Sequence, residues 1–274
     1  VGNKLAIVSP RPQTTRNRIT GIRNLPGAQV VFVDTPGMHE AADGKLGQFM
    51  QATVDRVLSD VDLVCVVADA SAASLPDPLL VERLAGCRVP CLCLLNKIDR
   101  VEPKDRLLPA MDAWRRVHAF REILPISAAD GTNCDCVLDL IAAALPEHPA
   151  LFPEDATSDQ PETFYVAEMI REKVFLLTRQ EVPYAVAVRV DEITERPDPA
   201  CLYIAARVFV EQDSQRGILV GRGGGMLKRI GTAARRELER FFGIKVYLAL
   251  KVQVRRGWRK DARALREFGF LLTS

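Results

Sequence analysis

Over the first 150 residues, short apolar runs rich in β-branched residues alternate with longer amphipathic stretches. The strand-like runs are Ala28–Asp34, Leu63–Ala70, Pro90–Asn96 and Ile123–Ser127, and between them lie helix-like Gly47–Ser59, Leu79–Ala85, Leu107–Phe120 and Cys136–Leu145. Strand and helix at this spacing require crossover connections, which predicts an α/β, doubly wound, mostly parallel sheet covered on both faces. Such sheets bind ligands at the carboxyl ends of their strands. With 48% apolar and 26% charged residues the chain can bury a core. No apolar run nears the roughly 20 residues that cross a bilayer. Charged n-region and apolar h-region are both absent at the start, Val1, which reads as a soluble protein without a secretory signal. The seven cysteines are an odd count, and several lie inside apolar runs. A reducing compartment fits them better than a disulfide framework, and the scattered histidines leave too few ligands for structural zinc.

Pro146–Pro161 holds four prolines and four acidic residues without a period, so a linker is expected there. We divide the chain into residues 1–147, a linker at 148–162, and residues 163–274. The second domain reads helix (Phe164–Thr178), strand (Ala185–Ile193), strand (Cys201–Glu211), helix (Gln215–Val220), helix (Met226–Phe242), strand (Lys245–Val254), an α+β order. The last strand alternates Val246, Leu248, Leu250, Val252 and Val254 on one face. The charge is uneven. Residues 214–274 carry fifteen Lys and Arg against four Asp and Glu, although the whole chain is only +2. Such a block is often a solvated face; beside a glycine cluster it points to a polyanion, RNA or DNA before membrane.

Four segments carry chemistry at strand ends. Asp34-Thr35-Pro36-Gly37 follows VVFV. A carboxylate there holds Mg2+ directly or through water, and the Gly37 amide reaches a terminal phosphate unobstructed, although a polar turn would use the same residues. Asn96-Lys97-Ile98-Asp99 ends the next apolar strand but one. Asp99 can accept from the ring N–H and amino group of guanine, a donor pair adenine lacks, with Asn96 bridging loops and the Lys97 stem lying along the purine. A capping Asn followed by a surface Lys is the alternative. Ser127-Ala128-Ala129 ends a further strand, where a backbone amide could meet the guanine carbonyl. Upstream, Gln13-Thr14-Thr15-Arg16 offers hydroxyls to complete magnesium coordination, with Thr15 the candidate ligand beside Asp34. Gly221-Arg222-Gly223-Gly224, between two helical stretches, allows an RNA backbone to approach, with Arg222 and Lys228 supplying charge. A flexible turn has the same composition. Ile218, Val220, Leu227 and Ile230 are the apolar groove candidates, although most aliphatic residues on a helix face are core, and Trp258 among its basic neighbours either stacks on bases or caps the fold.

Together these segments resemble the Era family of ribosome-assembly GTPases, through Ser9–Ile19, Asp34–His39, Asn96–Asp99, Phe152–Asp155, Ile170–Lys173, Gly221–Gly224 and Leu227–Gly231. The resemblance implies a GTP-binding domain followed by a KH domain with a basic tail. It also implies a GTPase that binds GTP and GDP with Mg2+, binds the 3′ end region of small-subunit ribosomal RNA and assists assembly of the small ribosomal subunit. A monomer in the bacterial cytoplasm is implied, with peripheral association to the inner membrane as a second location and the mitochondrial matrix less favoured. A nucleotide-independent RNA-binding assembly factor on a degenerate scaffold is the alternative. One departure stands out: no G-x-x-x-x-G-K-[ST] phosphate loop occurs within residues 1–274. In the family it precedes the segment resembling Gly2–Ser9, so the sequence is expected to start just downstream of it and, by itself, to bind GTP weakly and hydrolyse none. Met38 stands where many GTPases carry a water-orienting Gln, and no catalytic base is assigned within the switch region that holds Asp34 and Gly37. His39 beside it reads as a bystander.

Overall fold

The computed structural model describes residues 2, 4–9, 14–37, 44–72, 76–197 and 200–270, so Gln13, Met38 and His39 lie outside the described residues. The chain first forms a hairpin of β1 (Ile19–Leu25) and β2 (Ala28–Asp34), antiparallel with Ile19 opposite Asp34. Strand β1 is an addition to the sequence reading, which began its strands at Ala28. The signal was present in Pro26-Gly27, a turn pair in which Gly27 takes φ +78° between two apolar runs.

Then follow α1 (Gly44–Asp60), β3 (Val64–Asp69), α2 (Pro78–Ala85), β4 (Cys91–Asn96), α3 (Leu107–Val117), β5 (Glu122–Pro125) and α4 (Cys134–Ala142). Strands β3, β4 and β5 are parallel and adjacent in that order. β4 is central, and Cys91 to Leu95 are all buried, which is why its sequence reads as unbroken apolar residues rather than alternating ones. Cys91 and Cys93 serve there as small hydrophobes. Helix α2 starts where Asp77 accepts from the Leu79 amide at 2.9 Å, with Pro78 at its first position. Helix α4 packs Ile141 across both Leu92 of β4 and Val30 of β2, which ties the hairpin to the parallel strands.

The proline-rich connector is laid along the hairpin rather than running free. Gln29 accepts from the Leu151 and Phe152 amides and donates to the Phe152 carbonyl, each at 2.9 Å, and the Ile22 amide donates to Thr157 O at 2.9 Å. Beyond it come α5 (Glu162–Leu177), β6 (Ala187–Pro197), β7 (Ala200–Val210), α6 (Asp213–Val220), α7 (Gly225–Phe242), β8 (Val246–Val254) and α8 (Ala262–Glu267). In this second sheet β7 lies between antiparallel β6 and parallel β8. Its core takes Leu202, Ile204, Ala206 and Val208 from β7, the even-numbered face of β8, and Ile230, Ala234 and Leu238 from α7. Ile230 is therefore a core residue and not a groove residue, because it falls on the same helical stripe as Ala234 and Leu238.

A second cluster joins the two halves. Leu46 and Phe49 of α1 pack with Phe209, Trp258, Leu265, Phe268 and Phe270, and the Phe49 and Phe270 rings meet edge to face at 5.8 Å. Trp258 is fully buried at its centre, its Nε1 donating to Ala185 O at 3.0 Å. It caps the fold and is closed to bases. Trp258→Ala should cost about 3–5 kcal/mol of stability, the range for truncating a buried aromatic, and urea unfolding followed by circular dichroism checks it.

Candidate functional site

Three strand ends of the parallel sheet converge on one polar network. Asn96, the last residue of β4, accepts at Oδ1 from its neighbour's amide, Lys97 N, at 2.7 Å and from the Ala128 amide at 2.9 Å. Its own carbonyl accepts from the Ala70 amide beyond β3 at 2.8 Å. One asparagine thus binds the loops that follow three strands. Lys97 adopts φ +68°, a left-handed conformation unusual for a residue with a Cβ, and its Nζ reaches Asp69 Oδ2 at 2.5 Å. Strain of this kind clusters at functional sites. Burial pushes the Asp69 carboxyl up, but hydrogen bonds from Lys97 and Ser71 outweigh it and hold the carboxyl below its usual range.

Asp99 follows in a short 3-10 turn, Ile98–Arg100, whose first amide donates to Ile126 O at 3.2 Å. The Ser127 hydroxyl, itself fully buried, donates to Asp99 Oδ1 at 2.8 Å and fixes the carboxylate's direction. A carboxylate held this way keeps lone pairs on both oxygens for further donors. The sequence-derived set Asn96, Lys97, Asp99, Ser127 and Ala128 is therefore one cluster. The structure adds two partners that the sequence reading did not name: the Ala128 amide donates to Asn96 and the Lys97 ammonium to Asp69, and neither is visible from spacing because they lie 32 and 28 residues away.

The second group lies at the end of β2. Thr15 Oγ1 donates to Asp34 Oδ2 at 3.0 Å. Burial pushes the Asp34 carboxyl above its ordinary value, while hydrogen bonds from the Thr15 hydroxyl and the Thr35 amide pull the other way. Thr35, Pro36 and Gly37 continue directly from the strand. A hydroxyl and a carboxylate are hard oxygen donors, and two of them suit Mg2+, which retains waters and takes its other ligands from phosphates.

Arg16, next to Thr15 in the segment Gln13–Arg16, carries no role in the sequence reading. Arg16 is buried in the second half of the molecule, where Nη1 donates to Val186 O at 2.6 Å and Nη2 to Tyr184 O at 2.9 Å and Pro183 O at 3.2 Å. Burial, then the nearby Arg171, lowers its pKa to about 9, so it remains a cation at neutral pH. A motif of hydroxyls and a surface-type arginine gives no sign of this anchor.

The glycine loop links α6 to α7. Gly221, Gly223 and Gly224 take φ +71°, +53° and +76°. At Gly221, with ψ 176°, the backbone sits in a region essentially reserved for glycine, and an added Cβ would lie 2.8 Å from Met226 Cβ and 2.9 Å from Met226 N. At Gly223 and Gly224 an added Cβ meets nothing within 4 Å. The loop is closed by the Gly224 amide donating to Gly221 O at 3.2 Å. Among the described residues Arg222, Lys228 and Arg229 are exposed and have no acidic partner, whereas Arg255, Arg256 and Arg259 pair with Glu267, Asp213 and Glu211. Three of the exposed cations of the basic block therefore border the glycine loop. Ile218 is exposed beside it, and Val220 and Leu227 are half-buried.

A parallel sheet with an Asn-Lys-x-Asp cluster at its strand ends, joined to a helix–glycine loop–helix on a three-stranded sheet, defines a guanine-nucleotide-binding protein with a KH domain. Residues 181–259 match the KH domain family, and residues 1–97 match a family described as 50S ribosome-binding GTPase. The chain is 46% identical to GTPase Era of Geobacter metallireducens over 271 residues, which covers 98% of this chain and 90% of that one. It is 47% identical to GTPase Era of Geotalea uraniireducens over 275 residues, with the same coverages. A crystal structure of Era in complex with MgGDPNP and nucleotides 1506–1542 of 16S ribosomal RNA superposes with a TM-score of 0.94 at 37% identity, covering 99% of this chain and 92% of that one. A variant of Aquifex aeolicus Era bound to GDP and tetrafluoroaluminate gives 0.92 at 36% identity, with the same coverages. The chain belongs to the Era family of GTPases.

Gly221→Ala should destabilise the protein by about 1–3 kcal/mol from backbone strain alone. Gly225→Ala, at a helical φ of −61° with open space around it, should gain about 0.5–1 kcal/mol. Paired thermal melts of the two variants read both signs.

Proposed function

We propose that this protein binds GTP through its parallel sheet, hydrolyses it, and binds the 3′ end region of small-subunit ribosomal RNA through its glycine loop during assembly of the small ribosomal subunit. The observation that carries the reading is the presence, in one chain, of a guanine-type carboxylate preset by a buried serine and a glycine loop edged by unpaired cations. Support comes from the relative that is seen with MgGDPNP and a segment of 16S ribosomal RNA. Residues 1–147 act as the nucleotide-binding domain, 148–162 as the linker, and 163–274 as the RNA-binding domain.

Each residue has a physical task. Asp99 accepts the two donors of guanine's edge, Ser127 orients it, Asn96 holds the loops together around the base, and the Lys97 stem covers one purine face. Adenine would leave the carboxylate unpaired, at a cost of roughly 1–3 kcal/mol. The Gly37 amide, with no side chain to intervene, donates to the terminal phosphate. Thr15 and Asp34 hold Mg2+, directly or through water, and the ion when bound neutralises charge that develops on the transferring phosphate. Gly223 and Gly224 let the RNA backbone pass over the loop, with Arg222 and Lys228 contacting phosphates. Bacterial cytoplasm is the proposed location; among the described residues no helix is long and apolar enough to cross a membrane.

Base choice is tested in a chain that carries a G-x-x-x-x-G-K-[ST] loop ahead of Val1. Asp99→Asn there should lower GTP affinity by about tenfold or more, the factor that 1.4 kcal/mol represents, and should raise affinity for xanthosine triphosphate, whose ring has a carbonyl in place of the amino group. Unchanged preference in a competition assay would remove Asp99 from the base site.

RNA contact is tested by replacing Gly223 and Gly224 together with Asp. Aspartate tolerates left-handed backbone and both side chains project into open space, so the fold should survive. Affinity for a short single-stranded RNA, measured by fluorescence anisotropy, should fall well over tenfold, with two carboxylates in the path of the phosphates. Reversing the charge of Arg222 or Lys228 should weaken binding less and flatten its salt dependence by about 0.7 log unit for each phosphate that is no longer neutralised. A folded double variant that binds like the parent would make the loop a turn and nothing more.

A further inference from the structure

We propose that Arg16 is a positioning residue: it transmits the placement of the RNA-binding half to Thr15, so that the metal end of the nucleotide site is assembled only when that half is docked. The inference rests on the reading of Thr15 and Asp34 as the metal pair and adds to it the element that holds the pair in place.

The geometry is a clamp on three consecutive residues. The Thr14 carbonyl accepts from Arg171 of α5. The Thr15 hydroxyl donates to Asp34 of β2 at 3.0 Å. The Arg16 guanidinium enters the second half and donates to the carbonyls of Pro183, Tyr184 and Val186. Thr15 is therefore flanked on both sides by residues whose partners lie 157 to 170 positions away, in the other half of the chain. Neither end of the clamp is loosely held. Arg171 is almost fully buried, pairs with Glu168 through Nε at 2.7 Å and Nη2 at 2.6 Å, and lies 5.3 Å from the Phe175 ring centroid, with Arg16 at 6.0 Å from the same ring. The receiving turn, Val182–Ala185, is itself fixed from the opposite direction by Trp258 at the Ala185 carbonyl.

Segment 14–16 has no regular structure of its own. A loop without internal hydrogen-bond ladders takes its position from what it is tied to, and here two of its three ties lead to the RNA-binding half. A shift of that half must move Thr15 relative to Asp34, or break the buried bonds of Arg16. Charge-assisted hydrogen bonds of a buried guanidinium make the second course costly. Coupling of this kind requires a discrete physical linkage that both sites bias, and the Thr14–Arg16 clamp is one.

The test measures affinity for a fluorescent GDP in the loop-bearing chain with Mg2+ and with EDTA. Arg16→Met keeps the stem and removes the donors. It should cut the magnesium-dependent gain in affinity by about tenfold, equivalent to 1.4 kcal/mol, with the affinity in EDTA unchanged. Arg16→Lys, which keeps a cation able to reach a carbonyl, should fall between parent and Met variant. Arg171→Met combined with Glu168→Met removes the distant pair as a unit, strands no buried charge, and should reproduce the Arg16→Met effect from the other half of the molecule. That double variant also decides the matter should Arg16→Met fail to fold. The single-stranded RNA affinity should stay at the parental value in the folded variants, because neither the glycine loop nor the base site is touched, whereas Arg16→Met should lower the melting temperature because it leaves buried carbonyls without donors. Thr15→Val separates the two ideas. If it leaves the magnesium gain intact, the metal reading of Thr15 fails and the inference with it. If Thr15→Val abolishes the gain while the Arg16 and Arg171 variants retain it, the metal reading stands and Arg16 is only a tie between the halves.

Discussion

The molecule depends on how one buried turn has its backbone carbonyls satisfied. Val182, Pro183, Ala185 and Val186 are all buried, and a buried carbonyl without a donor costs about as much as a lost hydrogen bond. Arg16 supplies donors to the carbonyls of residues 183, 184 and 186, and Trp258 supplies one to residue 185. Trp258 belongs to the turn's own half and Arg16 to the other, so the turn's carbonyls are fully satisfied only when the two halves are together. Burying a guanidinium away from a direct carboxylate partner is expensive, and three charge-assisted bonds at about 1.5–3 kcal/mol each are what make it tolerable. The aromatic cluster of Phe49, Trp258, Phe268 and Phe270 encloses the same region and adds apolar burial between α1 and the C-terminal elements.

The Asn96–Asp99 cluster follows a similar logic at smaller scale. Three parallel strands deliver their carboxyl ends to one edge, and the loops beyond them are polar and would otherwise be mobile. Asn96 draws them together with two acceptor bonds and its own carbonyl, while Lys97 bridges to Asp69. The left-handed Lys97 is the strained point that this network holds. Ser127, buried beneath Asp99, converts a surface-type acid into a directed acceptor. A preset direction narrows the donors that the carboxylate can accept from, because a freely rotating carboxylate would accept from many partners.

In the RNA-binding half, each glycine of the loop has its own reason. Gly221 is required by packing, since Met226 occupies the space that a Cβ would need. Gly223 and Gly224 are required by backbone conformation, and their faces are open. Arg222, Lys228 and Arg229 lie beside that open face, while Arg255, Arg256 and Arg259 are engaged in internal ion pairs. The distribution matters more than the total of the basic block: charges that face a phosphate chain attract it, and charges neutralised by neighbours do not.

The sequence by itself determined the alternating elements, the strand ends that bear polar residues, and the helix–glycine–helix order. Those features are periodic or local: apolar residues repeat every two or every 3.6 positions according to the element they build, and glycine and proline punctuate over a few residues. The same periodicity was misleading at Ile230, where a helix face said apolar without saying whether it met a groove or a core. The hairpin strand β1 was legible from Pro26-Gly27, yet its run is short and carries Thr20, Arg23 and Asn24, so alternation alone did not reveal it. Only the tertiary structure decided that Arg16 is an internal anchor, that Trp258 is a core residue, that Lys97 turns to Asp69, and that the basic block divides into free and neutralised charges. In each case the deciding partner lies between 12 and 170 residues away. No local pattern encodes such a partner, because burial and pairing at that range are properties of the packed chain.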